Sequence, residues 1–117
     1  MSIFNQVFLL ARLGKTPELV TTPGGKSVCS VSMATTEGYK DQSGNWKEVA
    51  EWHNVVFFGS VAEVLCKHSG KGDLLLIHGR LRTRQYTDSA KNERYVTEVI
   101  VNEFSFASRS TANVRES

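Results

Sequence analysis

Arg80, Arg82 and Arg84 recur at alternate positions, and the series closes on Tyr86. In an extended strand this spacing puts all four side chains on one face, with Ile77, Leu81 and Thr83 on the other and Gly79 between them. Guanidinium groups are almost never buried without partners, so the row does not read as barrel core. It reads as a solvated strand face, as a surface for an acidic protein, or as a track for a nucleic-acid backbone. A second alternation puts Trp52, Asn54, Val56 and Phe58 on one strand face and His53, Val55 and Phe57 on the other. One set can fill a core, and the set left outside then presents large aromatics that need a partner surface. Flat rings beside a basic row suit single strands, because every unpaired base offers a face for stacking while Lys and Arg track the phosphates. Duplex DNA hides those faces, and nothing in the chain resembles a recognition helix or a zinc finger. The expectation is binding of single strands with low sequence specificity.

These residues must be held by strands. Five runs rich in Val, Ile, Phe and Thr span residues 4–13, 27–36, 51–58, 74–86 and 94–106, separated by clusters of turn-forming residues. Between the third and fourth runs, Ser60 and Glu63 have the spacing of a capping box, which predicts a short helix to about Ser69. Val61, Val64 and Leu65 share its apolar face and Gly70 is its expected C-cap, so the helix is placed as a plug for one end of a barrel. Five strands with one helix between the third and fourth is the order of an OB-fold, an all-β Greek-key barrel, although periodicity alone leaves other small barrels open. The connection over residues 37–50 carries Tyr39, Lys40, Trp46 and Lys47, which predicts a binding loop rather than a tight hairpin. The connection over residues 87–93 is flanked by Tyr86, Arg94 and Tyr95.

With 117 residues the chain has room for one domain, read as 1–106, followed by a short flexible segment over 107–117. The formal net charge is only +2, so any electrostatic case rests on clustering rather than on the total. Cys29 and Cys66 sit in apolar contexts with no further Cys or His at metal spacing, which predicts buried thiols rather than a zinc site or a disulfide. Reduced thiols and the lack of a signal-like start predict a cytoplasmic protein. No apolar run is long enough to span a bilayer as a helix, so no membrane partner is expected. Neither a metal nor another cofactor is expected. The only tempting acid–base pair, Glu51 with His53, is set aside on the expectation that the two face opposite ways, and His68 and His78 read as helix-end and strand residues. No catalytic residue is therefore assigned.

Taken together, NQVFLL (5–10), TPGGK (22–26), ATTE (34–37), EWHNVVFFG (51–59), GRLRTRQYTD (79–88) and ERYVTEV (93–99) resemble the bacterial single-stranded DNA-binding proteins over nearly the whole chain. The resemblance implies base stacking on Tyr39, Trp52, Phe58 and Tyr86, with Tyr39 and Tyr86 standing where relatives often have tryptophan. It implies phosphate contacts from Lys71, Arg82 and Arg84; Arg80 is added from its place in the alternating row. A homotetramer is implied as well, with His53 at a subunit interface and the first strand, including Val7 and Leu9, pairing its edge with a second copy. An apolar edge strand is an aggregation hazard unless it is paired or covered, which favours such an arrangement independently.

The chain also departs from its relatives. Gln6, Asn54, Ser60 and Gln85 stand where they often carry a basic residue, which implies binding that is weaker or less dependent on salt. Relatives usually end in a long tail whose acidic, apolar tip recruits replication and repair proteins. Residues 109–117 lack such a tip, so recruitment through one is not expected. The implied role is protection of single-stranded DNA in replication, recombination and repair. The rival is a tailless OB-fold accessory of replication restart, acting mainly through protein contacts.

Overall fold

The computed structural model describes residues 3–108. Its elements in chain order are β1 (Val7–Leu13), β2 (Val20–Thr21), β3 (Ser27–Lys40), β4 (Trp46–Phe58), α1 (Gly59–His68), β5 (Leu74–Thr87) and β6 (Glu93–Ser108). The strands are ordered β1-β5-β6-β4-β3-β2, and β1 pairs again with β3 through Arg12 and Leu13, so five strands close into a barrel and β2 is a two-residue appendage of β3. Among the described residues only the β4–β6 pairing is parallel. With α1 between the third and fourth barrel strands, β4 and β5, this is the expected OB-fold.

Alternation fills the barrel. Ala11 and Leu13 of β1, Cys29, Val31 and Met33 of β3, Val55 and Phe57 of β4, Leu75 and Ile77 of β5, and Val99 and Val101 of β6 all bury inward. Ala62 and Leu65 of α1 join this core, which places the helix against β3, β4 and β6. Burial, reinforced by the neighbouring Cys66 thiol, pushes the Cys29 thiol up to about 12, as a buried rather than a reactive cysteine requires. Gly79 lets β5 and β6 cross closely at a register shift, since a Cβ there would lie 2.0 Å from the Ile100 carbonyl oxygen.

Several expectations change. Residues 37–50 do not form an open loop: β3 and β4 continue past the barrel as a ribbon and turn at Asp41, whose Oδ1 accepts from the amides of Ser43 and Asn45, both at 2.9 Å. Asp88 does the same for Ala90 and Asn92 at the end of the β5–β6 ribbon. Leu81 is 50% exposed although Ile77 earlier in the strand is buried, because β5 has already left the barrel there, and its backbone is held by both polar atoms of the Asn5 side chain.

The capping box does not form either. The helix starts at Gly59, two residues earlier than a Ser60 cap would set it, no side chain caps it, and the Glu63 carboxylate accepts from the Ser27 hydroxyl at 2.9 Å. Gly59 takes a left-handed φ of +64°, which turns the chain sharply out of β4 directly after Phe58. The helix ends at His68 with Ser69, not Gly70, as its C-cap, and Val64 faces outward while Ala62 and Leu65 are buried.

Candidate nucleic-acid interface

Where β4 enters the barrel, its outer face carries Trp52, 60% exposed, continues through Asn54 and Val56, and ends at the half-buried Phe58. Ala34 lies across the ladder from Trp52, a side chain too small to cover the indole. Underneath, the ring rests against Gly14: a Cβ on that glycine would lie 2.7 Å from Cζ3 of Trp52. Gly14 is itself tied down by its amide, which donates to the Ser32 carbonyl at 2.9 Å. The chain thus supports one side of the indole and leaves the other open.

The outer face of β5 carries Arg80, Arg82, Arg84 and Tyr86, as their alternation predicts. The Arg82 guanidinium lies 5.9 Å from the Phe58 ring centre and that of Arg84 lies 5.8 Å from the Tyr86 ring centre, both within cation–π range. Phe58, Arg82, Arg84 and Tyr86 therefore form one continuous surface. Between the two ribbons runs a groove whose lining includes Lys15, Ser32, Asn54, Val56, Arg84 and Glu98.

Glu98 of β6 was not foreseen. It is 4% exposed and accepts from Nη2 of Arg82 at 2.8 Å and from Nε of Arg84 at 2.9 Å. Burial pushes its carboxyl up, but the hydrogen bonds and charges of the two arginines outweigh that and hold it below the ordinary glutamate range. The arginine row is thus partly neutralised from within, although both side chains keep solvent-exposed surface. Arg80, opposite Ile100, is exposed and has no ion-pair partner among the described residues.

The remaining residues scatter. Lys71 is exposed in the turn after α1, and its amide donates to Thr16 at 3.2 Å, two residues beyond the glycine under Trp52. Tyr39 is 48% exposed but pairs across the ribbon with Lys47, on the opposite face from Trp52 by strand parity. Val7 and Leu9 pack against the core, and it is Phe8 and Leu10, 67% and 54% exposed, that β1 presents outward. His53 faces inward, half-buried, with Nε2 2.9 Å from the Thr35 hydroxyl. Glu51 and His53, two residues apart, share a strand face rather than facing opposite ways, but Glu51 is exposed and His53 is engaged with Thr35. Trp46, expected in a binding loop, and Tyr95, which flanks the second connection, are 70% and 71% exposed, the most open of the large aromatics on the ribbons.

A closed five-stranded barrel whose outer face joins exposed aromatics to a row of arginines defines the class: an OB-fold with the surface of an oligonucleotide binder. Within that class, the model of the single-strand binding protein family matches residues 4–107, and the chain belongs to this family. Among solved structures it is similar to a deletion mutant of the single-stranded DNA binding protein from Thermus aquaticus, at 30% identity and a TM-score of 0.74 over 88% of this chain. The match spans only 50% of that Thermus aquaticus chain. It is also similar to Plasmodium falciparum SSB in a complex with ssDNA, at 25% identity and a TM-score of 0.79, covering 91% of this chain and 97% of the other.

Proposed function

We propose that this protein binds single-stranded DNA without sequence preference, stacking bases on Trp52, Phe58 and Tyr86 while Arg80, Arg82, Arg84 and Lys71 contact phosphates. The observation that carries this reading is the Trp52 indole, supported from below by Gly14 and 60% exposed on a face continuous with the arginine row. Family membership and the ssDNA complex of the Plasmodium falciparum neighbour support the same ligand. Protection of single strands during replication, recombination and repair follows from such binding. Tyr39 would reach the strand only if it wraps around the β3–β4 ribbon to the opposite face.

Self-association belongs to the same proposal. Over residues 7–11, β1 pairs with β5 on one side, and among the described residues no strand pairs with its other edge. Phe8 and Leu10 stand exposed beside Leu76 on the neighbouring strand, a patch that a second copy would cover.

Titration with oligo-dT tests the binding reading. Intrinsic fluorescence should be quenched, and duplex of equal length should compete poorly. Trp52→Ala should weaken binding by about 1–3 kcal/mol per stacked base with little change in melting temperature. Binding as tight as wild type, with a melting temperature many degrees lower, would show that the ring serves the fold and not the ligand.

A further inference from the structure

Trp46 opens β4 at the far end of the ribbon, on the same face as Trp52 by strand parity. It is 70% exposed, more than Trp52 itself. Its support repeats the device seen at Gly14: the indole leans over Gly38 of the facing strand, where a Cβ would meet Cε3 and Cζ3 at 3.6 Å each. Lys40, its partner in the ladder, places its ammonium 5.6 Å from the ring centre. Between the two indoles the same face carries Thr36, Gly38 and Ala50, which form a low floor, together with Glu48. Six residues of extended strand set the rings roughly 20 Å apart.

We infer that Trp46, supported by Gly38 and flanked by Lys40, is a further base-stacking platform that takes the same single strand where it continues beyond Trp52. The inference rests on the binding mode proposed above. A large ring held open on one side and a cation beside it are the two parts that sequence-tolerant recognition of single strands needs. The Glu48 carboxylate repels phosphates on this stretch, so the platform acts through stacking and adds little to the salt dependence of binding. A strand that ends at Trp52 does not use it; a longer one does.

The chain has two tryptophans, so Trp52→Phe leaves Trp46 as the only indole while keeping a stacking ring at position 52. In that variant, long oligo-dT should quench the remaining emission and an oligomer of about four nucleotides should not. Trp46→Ala should bind the short oligomer as wild type does and the long one roughly 5- to 150-fold more weakly, with an unchanged salt slope. Unquenched emission at saturation with the long oligomer, together with wild-type affinity of Trp46→Ala at every length, overturns the inference. So does a Trp46→Ala variant whose oligomeric mass falls while binding of the long strand stays intact, since that marks a contact between copies. Failure of the primary reading has a different signature, loss of the Trp52→Ala effect on short oligomers.

Discussion

Recognition at the level of single residues depends as much on what lies under the rings as on the rings themselves. Gly14 has no left-handed backbone to protect, so a methyl group there acts on space alone, and the atoms it meets are the Trp52 ring at 2.7 Å and the Ser32 carbonyl oxygen at 3.0 Å. Gly14→Ala should therefore tilt the indole and remove part of the roughly 1–3 kcal/mol that one stacked base contributes, while leaving the core and the unfolding midpoint nearly unchanged. A double-mutant cycle isolates the effect: in a Trp52→Ala background the extra methyl should cost oligo-dT affinity nothing. An equal loss in both backgrounds would place the glycine's role elsewhere. Trp52 and Phe58 were legible from the sequence because alternation along one strand is local information. Gly14 was not, because its contact with Trp52 exists only once the segment after β1 has been tied to Ser32.

Elements bring charges together that sequence distance hides. The β5–β6 ladder sets Arg82 directly opposite Glu98, and a buried carboxylate then organises two arginines that alternation alone presents as free. Its carboxyl sits below the ordinary value of 4.5 in the folded chain, so the pairing stabilises fully above that pH and is lost as pH falls through the lower, folded value. Glu98→Gln should flatten the loss of stability below about pH 4.5 and lower stability at neutral pH by about 1–3 kcal/mol, both measurable by denaturant unfolding. The same variant should show a steeper dependence of oligo-dT affinity on salt, since two guanidinium groups lose their internal counter-charge. An unchanged salt slope would mean that neither arginine reaches a phosphate. The β3–β4 ribbon is hidden for a related reason: its Asp41 turn shares with the Asp88 turn a spacing of Asp followed four residues later by Asn, a signal weaker than the polar composition of residues 37–50, whereas the long strands on either side of residues 87–93 are plain in the sequence.

At the scale of the whole molecule, the modest net charge of +2 makes a single barrel a weak polyanion binder, and joining copies is the direct way to raise affinity for a long strand. The fold itself was legible in the order of strands and helix. Which side chains of the first strand would meet a second copy was not: edge pairing runs through the backbone, and the pleat turns Val7 and Leu9 toward the core. Replacing either would damage the barrel and say nothing about assembly. Phe8 and Leu10 are the side chains available to a partner, although the Phe8 ring also stacks at 4.5 Å on His78. The wild-type chain should sediment as a tetramer at micromolar concentration, and Phe8→Ser with Leu10→Ser should shift it to smaller species with an intact core, seen as unchanged circular dichroism. These smaller species should bind an oligomer of about four nucleotides as wild type does, because each barrel keeps its own stacking face. On strands long enough to engage several barrels, they should lose about 10²-fold or more, since linked sites act at high effective concentration and separate ones do not. A wild-type protein that sediments as a monomer ends the proposal of assembly. A variant that keeps the full mass moves the interface away from β1, to a face on which Phe8 and Leu10 have no part.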